Sequence, residues 1–341
     1  MFILNSRQAQ ARNAARGYFD RTQIALAATL PQGDAQDLIG NAAPVGLDAW
    51  RRIDTRGAML QRDILAVYNR LARANTTPVD IGELMSFYPK VSDSGKLSVT
   101  MDGRMPGAGD QPVVTFDGTP VPVFASAATW GWRQNAVMMR GGGLSASDMV
   151  AGSQRVVLEA LEDMAINGRA STNVAGKTIY GLLNFPDRTE AATYGAFNLT
   201  GTTGANWMTA FSGLILALVG DNAFGRVTVF CNYADWTYAG LTDYVNGSNV
   251  TQGTIAQRVL SIANVAEVIP CGRVPANRLI GVNNIDSGEW GSVLSAMAPT
   301  TLPKARLNPH DEYGMWAMAA SATQFRSDFN GRLHIAAITR T

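Results

Sequence analysis

The chain has 341 residues, of which 46% are hydrophobic and 16% are charged, and its formal net charge is only +1. The charged share lies well below the level usual in a globular domain, so the chain has little polar material with which to cover its surface. The near-zero net charge excludes a general polyanion binder. Two cysteines exclude a disulfide framework and a four-ligand metal site.

The two cysteines, Cys231 and Cys271, lie in apolar stretches, which predicts that they are reduced core residues. No secretory signal is visible at the N-terminus. The longest apolar runs, such as 214–219, are too short to span a bilayer. We therefore expect the protein to fold and act in a cytoplasm.

The N-terminal region, residues 1–46, is predicted to be an arm that is helical or partly disordered. It carries no acidic residue before Asp20, and its arginines recur every four or five residues, at Arg7, Arg12, Arg16 and Arg21. Such a stripe could neutralise nucleic-acid phosphates without reading base sequence. A solvated helix face or a subunit contact explains the spacing equally well, and the aromatic interleaving typical of single-strand binders is missing.

A helix and a hairpin follow the arm. Residues 47–74 carry apolar side chains at helical spacing. After Pro78 the pattern becomes extended, and it predicts strands at 81–88, 96–101, 113–116 and 121–134.

Together, residues 88–119 predict a long hairpin that projects from a body. It has too few large apolar residues to build its own core, and a two-stranded hairpin is marginal alone in water, so it must lie on another surface. An ordinary sheet edge is the open alternative.

The second half predicts a long helix and then an α/β domain. The long helix covers 145–168 and ends at the stop signal Asn167-Gly168. The alternation from residue 205 onward predicts a separate compact domain. Its predicted elements are helices at 205–219, 233–244 and 254–263, and strands at 226–231, 267–270 and 278–282. A polar stretch at 246–253 is predicted to be an exposed loop. Strands at 315–326 and 332–339 flank Asn330-Gly331, a strong hairpin signal.

Residues that could carry chemistry are few. His310 and His334 have no partner at metal-ligand spacing, and we expect both to be structural. The three glycines 141–143 lack the Lys-Ser/Thr of a phosphate loop. The carboxylates of Glu159, Glu162 and Asp163 are predicted to form a solvated or interface face of the long helix. We therefore expect no enzyme activity, catalytic residue, metal or cofactor, with an α/β metabolic enzyme as the lesser alternative.

The order of arm, helix, hairpin, long helix, α/β domain and returning strands resembles the Hong Kong 97-type capsid fold. That fold is shared by tailed-phage major capsid proteins and encapsulin shells. Several local segments are also similar to this family, in particular to its encapsulin-like branch: 47–54, 122–124 with 129–134, 164–168 and 179–184.

The resemblance implies an α+β fold with an N-terminal arm (1–46), an entry helix (47–87), an extended hairpin loop (88–119) and a peripheral domain (120–204) with its spine helix (145–168). An α/β axial domain (205–302) and a return to the peripheral domain (303–341) complete it. The implied inter-subunit hairpin residues are Lys90, Lys96, Arg104, Met105 and Pro106. The implied capsomer-axis residues are Asn246, Gly247, Asn249 and Gln252.

The implied function is a major capsid protein that forms hexamers and pentamers of an icosahedral phage head around double-stranded DNA. The four arginines of the arm would face the nucleic acid by non-specific contact. The implied partners are copies of the chain itself, DNA, and scaffolding, portal and decoration proteins, with no membrane. The protein would be assembled in the host cytoplasm and reside in the virion. An encapsulin-type shell around a protein cargo is the alternative.

Overall fold

The structure is a computed structural model, and it describes residues 65–95, 97, 99–102, 110–139, 146–190, 198–245 and 250–339. All of these residues belong to one compact unit, Leu60–Arg140 with Ser145–Thr341. None of the described helices is both long and apolar enough to cross a membrane.

The described helices are α1 (Val67–Ala74), α2 (Trp132–Met139), α3 (Ala146–Asn167), α4 (Gly204–Gly220), α5 (Tyr233–Leu241), α6 (Ile255–Leu260) and a short 3-10 turn at Ile285–Ser287. The first strands are β1 (Thr76–Pro78), β2 (Met85–Val91), β3 (Val114–Pro120), β4 (Val123–Trp130), β5 (Arg169–Val174), β6 (Lys177–Ile179) and β7 (Thr189–Glu190). The remaining strands are β8 (Val227–Asn232), β9 (Asp243–Val245), β10 (Thr251–Thr254), β11 (Val265–Cys271), β12 (Arg278–Asn283), β13 (Gly291–Pro303), β14 (Tyr313–Phe325) and β15 (Ile335–Thr339).

The first core lies between helix α3 and a four-stranded sheet of order β1-β13-β14-β4. Helix α3 has 22 residues and buries Val157, Leu161 and Met164 against Phe124 and Ala317 of the sheet. The apolar spacing of 4 and 3 residues places these three side chains on one face of the helix. The predicted helix 145–168 is therefore confirmed over its described residues.

The second sheet has five strands in the order β11-β8-β12-β15-β7, and both of its faces are covered. On one face, Val229 and Cys231 of β8 pack in the core formed with α4, α5 and α6. On the other face, Phe230 packs in the core that contains α1 and Trp290. A strand buried on both faces reads as a continuous apolar run, which is why 226–231 was predictable from sequence.

Three predicted strands need correction. The strand expected to begin at residue 81 begins at Met85, because Asp80 closes a turn in which its Oδ1 accepts the Gly82 amide at 2.9 Å. The strand expected at 96–101 is wrong, since Leu97 and 99–102 lie outside any strand. The extended segment expected at 121–134 ends at Trp130, and helix α2 follows it.

The predicted terminal hairpin is also wrong. Strand β14 pairs with β13 and β4, whereas β15 pairs with β12 and β7 of the other sheet. Asn330-Gly331 does form a turn, in which Asp328 Oδ1 accepts the amides of Asn330 at 2.9 Å and Arg332 at 2.7 Å. The turn therefore redirects the chain between two sheets, and the partner of β14 is the unpredicted strand β13.

The three helices predicted in the α/β region are confirmed, the last two with shorter bounds. Helix α4 matches 205–219, while 233–244 divides into α5 and β9, and 254–263 shortens to α6. Helix α6 begins at a capping box, because the Thr254 hydroxyl accepts the Gln257 amide and the Gln257 side chain accepts the Thr254 amide.

Candidate subunit-contact surface on the hairpin

Strands β2 and β3 form an antiparallel hairpin whose two faces differ in chemistry. The register pairs Phe87 with Gly118, Pro89 with Phe116 and Val91 with Val114, so these residues share one face. Phe87 and Phe116 are 60% and 67% exposed, and both valines are about half exposed, at 52% and 48%. We call Phe87, Pro89, Val91, Val114 and Phe116 the outer face.

Gly118 allows the Phe87 ring to lie across the neighbouring strand. A Cβ atom on Gly118 would stand 2.7 Å from Phe87 Cδ1 and 3.1 Å from Met85 Sδ. A side chain at Gly118 would therefore displace the ring. Gly118 therefore leaves the room that the Phe87 ring needs on the outer face.

Further exposed apolar residues lie in the chain segment between the two strands, at Leu97, Val99, Met101 and Val113. Monomeric soluble proteins rarely expose contiguous apolar patches of this kind unless the patch binds another molecule.

The opposite face of the hairpin is polar and is held against the rest of the chain. Lys90 Nζ donates to Ser327 Oγ at 2.6 Å and lies 3.3 Å from both Asp117 Oδ2 and Asp187 Oδ2. Ser327 Oγ donates to Asp187 Oδ2 at 2.6 Å. Lys177 Nζ donates to Asp117 Oδ1 at 2.6 Å.

The Tyr88 hydroxyl donates to Asp117 Oδ2 at 3.5 Å. These contacts join three distant parts of the chain, and we call Tyr88, Lys90, Asp117, Lys177, Asp187 and Ser327 the hairpin anchor. Burial alone would raise the pKa of the Asp117 carboxyl, but the hydrogen bonds from Lys177 and Gly118 and the charge of Lys90 outweigh it and lower that pKa. Burial likewise opposes the charge of Lys90, but Tyr88, Asp187 and Asp117 together raise its pKa. Both partners are therefore charged at neutral pH.

The predicted hairpin residues fare differently. Lys90 lies in strand β2, and its ammonium group donates to Ser327 of its own chain, while its expected role between subunits remains a prediction. Lys96, Arg104, Met105 and Pro106 lie outside the described residues, as do Arg7, Arg12, Arg16 and Arg21. Their roles remain predictions.

The predicted capsomer-axis loop joins strands β9 and β10, which pair antiparallel. Gln252 is exposed in β10, whereas Asn246, Gly247 and Asn249 lie outside the described residues. The base of this loop packs on α4, because the Tyr244 ring occupies the space that a Cβ on Gly204 would need, at 2.3 Å.

The residues considered for chemistry have structural contacts. His334 Nδ1 lies 3.3 Å from Asn283 Nδ2 and 3.5 Å from Glu289 Oε2. The His310 ring lies 5.4 Å from the Trp132 ring. In the part of the chain that the structure describes, no three His, Cys, Asp or Glu residues are grouped so that they could hold a metal ion.

Two further expectations concern buried groups. Cys231 and Cys271 are buried thiols, as predicted, and burial raises the pKa of each. The expectation that Glu162 lies on a solvated or interface face is wrong, since its side chain is fully buried. Its carboxylate accepts backbone hydrogen bonds from the first turn of α1. Sequence gave no signal for this contact, because the partners are 95 residues apart.

The chain was compared with known families and with curated proteins. A family model described as a family of unknown function, DUF6260, matches residues 41–337. No curated protein matches the chain in sequence.

Among solved structures, the capsid of Myoviridae phage XM1 is 11% identical, with 88% of this chain and 100% of that chain covered and a TM-score of 0.66. The capsid of a native GTA particle is 12% identical, with 88% and 99% covered and a TM-score of 0.58. A virus-like particle from Pyrococcus furiosus is 12% identical, with 80% and 95% covered and a TM-score of 0.50. At such identities the likeness shows the fold, and the predicted Hong Kong 97-type capsid fold is confirmed.

Proposed function

The chain belongs to the DUF6260 family, and we propose that it is a structural shell subunit, the major capsid protein of an icosahedral phage head. Copies of the chain would associate into hexamers and pentamers that enclose double-stranded DNA. The observation that carries this proposal is the two-faced hairpin, whose polar face is fixed to its own chain while its outer face presents Phe87 and Phe116 to the surroundings.

A second copy of the chain is the partner that this surface fits best. Because the anchor holds the polar face inward, the outer face cannot turn onto its own body without breaking the contacts of Lys90. Fully burying a Phe or Val side chain contributes roughly 1.5–3 kcal/mol, so four half-exposed side chains contribute roughly 3–6 kcal/mol per contact. Association costs roughly 4–15 kcal/mol in lost freedom, so one such contact is marginal and many repeated contacts in a closed shell are needed.

The described polar groups support a structural role over catalysis. Glu162 is occupied by the backbone of α1, and Glu159 is engaged by Arg273 at 2.9 Å. His334 lies against Asn283 and Glu289. These groups hold elements of the fold together, which is what a shell subunit requires.

The contents of the shell separate two candidate functions. The arginine stripe Arg7, Arg12, Arg16 and Arg21 favours nucleic acid, because guanidinium groups bind phosphates without reading base sequence. An encapsulin-type compartment with a protein cargo is the alternative, because encapsulin shells share the Hong Kong 97-type fold, and the likeness to the virus-like particle from Pyrococcus furiosus is a likeness of fold alone.

Electron microscopy of the purified full-length chain, followed by nuclease treatment of the particles, tests both points. The proposal predicts closed shells of uniform size and DNA that survives external nuclease. Shells that contain one co-purifying protein and no nucleic acid would favour the encapsulin alternative. A preparation that holds only subunits or small fixed oligomers would contradict the shell function.

A further inference from the structure

The attachment of the hairpin to the body is mainly polar in its described strands, and the largest buried side chain there is Tyr88, which is 7% exposed. No described residue of β2 or β3 belongs to any of the three buried apolar cores, which begin at flanking positions such as Val79 and Val121. What joins the strands to the body is the hairpin anchor, together with a hydrogen bond from Gln324 Nε2 to the Ser86 carbonyl at 3.1 Å.

Lys90 is the centre of this attachment. Its ammonium group lies 3.3 Å from a carboxylate of the hairpin, Asp117, and 3.3 Å from a carboxylate of the body, Asp187. Only 16% of its side chain is exposed, so solvent screens these contacts less than it screens surface ion pairs. Removal of the Lys90 ammonium group would leave Asp117 of the hairpin and Asp187 of the body without the cation that lies between them.

The anchor is also nearly balanced in charge. Its two lysines, Lys90 and Lys177, face two carboxylates, Asp117 and Asp187, and Ser327 relays a hydrogen bond between Lys90 and Asp187. Lys90 contacts a carboxylate on the hairpin and a carboxylate on the body, so loss of its charge weakens the attachment on both sides at once.

We propose that the hairpin anchor is a releasable clasp that sets the direction in which the hairpin leaves the subunit. With the clasp engaged, the outer face points away from the body in one direction. With the clasp separated, the hairpin pivots about its flanking residues Leu84 and Val121, whose backbones are joined by one hydrogen bond of 3.0 Å. This inference rests on the proposed function, because the hairpin direction matters where a second copy must receive it.

A distance measurement within the subunit tests the clasp. Spin labels are placed on Val113→Cys in the hairpin and Ala276→Cys on the body, both at exposed positions of the full-length chain. The native cysteines are buried with raised thiol pKa values, so they react slowly with the label. Distances are recorded below the concentration at which shells form.

The parent chain is expected to give one narrow distance distribution, and Lys90→Met is expected to broaden it at least twofold. Asp187→Asn should broaden it independently, which guards against a folding defect in one variant. The matched control is Arg70→Met, which removes a cation that pairs with Glu267 and Asp286 away from the hairpin, and it should keep the narrow distribution.

An unchanged distribution in Lys90→Met and Asp187→Asn would overturn the clasp. Equal broadening in Arg70→Met would overturn it too, since any lost ion pair would then suffice. Shell formation is scored separately by microscopy. A narrow parental distribution that broadens as expected in a chain that never forms shells would support the clasp and contradict the proposed function.

Discussion

Glu162 of helix α3 caps helix α1 at Val67. Its Oε1 accepts the Val67 amide at 2.9 Å and the Ala66 amide at 3.0 Å, and its Oε2 accepts the Tyr68 amide at 2.8 Å. The first amides of a helix have no partner within the helix, and the partial positive charge there favours a carboxylate. A single buried side chain therefore joins two helices that also pack through apolar contacts.

The substitution Glu162→Gln tests this cap. The amide can accept at one oxygen, but its NH₂ group faces backbone donors and the charge is lost. The free energy of unfolding should fall by about 1.5–3 kcal/mol, the range for hydrogen bonds to a charged group. Denaturant unfolding of the subunit measures it. Glu312→Gln, at an exposed position, is the control and should change stability by less than about 0.5 kcal/mol. Equal losses in both variants would contradict the cap.

Just after the end of α3, the backbones of Gly168 and Gly181 approach each other closely, so a side chain at either position should lower the free energy of unfolding. A Cβ on Gly168 would stand 2.5 Å from the Gly181 nitrogen, and a Cβ on Gly181 would stand 2.2 Å from the Gly168 nitrogen. Gly168 also has φ of +69°. Because backbone must move, Gly168→Ala should lower the free energy of unfolding by about 3 kcal/mol or more.

The matched control for this crossing is Gly176→Ala, at φ +80° but with no atom within 4 Å of the added Cβ. This substitution should lower the free energy of unfolding by about 1–2 kcal/mol, because alanine is disfavoured in the left-handed conformation. Equal costs at the two positions, measured by thermal or denaturant unfolding, would show that the close approach of the two backbones contributes nothing.

The outer face of the hairpin should matter for assembly and little for folding. The double substitution Phe87→Ser with Phe116→Ser removes two rings that are mostly exposed in the subunit. Shell yield in electron micrographs should fall at least tenfold, while subunit stability should change by less than about 1 kcal/mol. Leu307→Ser, at a 92% exposed site away from the hairpin strands, is the control and should leave yield unchanged. Normal shells from the double variant would refute the contact role.

Acid should weaken the anchor through Asp117. Its lowered pKa means that the charged form is favoured in the folded subunit, so its contribution is complete above the ordinary carboxyl pKa of about 3.9. The contribution is lost as the pH falls below that value and through the lowered pKa. The ordinary carboxyl pKa of about 3.9 lies between pH 5 and pH 3. The free energy of unfolding should therefore fall less between these two pH values in Asp117→Asn than in the parent chain. Identical pH profiles would contradict this assignment.

Periodic patterns predicted the main helices and inner strands well. Helix α3 follows an apolar stripe and ends at Asn167, just before Gly168, and β8 is buried on both faces, so local sequence determines both. The hairpin was predicted only in outline, since a projecting hairpin was expected over 88–119, but the strand expected at 96–101 is wrong and β2 extends to Val91.

Sequence patterns could not show which residues contact each other when they lie far apart in the chain. Asn330-Gly331 is a strong local hairpin signal, but the five residues of β15 are too apolar for an edge and fit between β12 and β7 in a sheet covered on both faces. Lys90 and Asp187 are 97 residues apart, and no local pattern shows that they meet. The anchor is therefore a finding of the structure alone.

The most direct test of the shell function is the mass of the full-length chain in solution, measured by sedimentation velocity across a range of concentrations. A shell subunit of 36.4 kDa should pass cooperatively, above a threshold concentration, into one fast-sedimenting particle class of megadalton size, on the order of many tens of copies. A chain that stays at the single-subunit mass at every concentration, with a stable fold and no particles, would contradict the account.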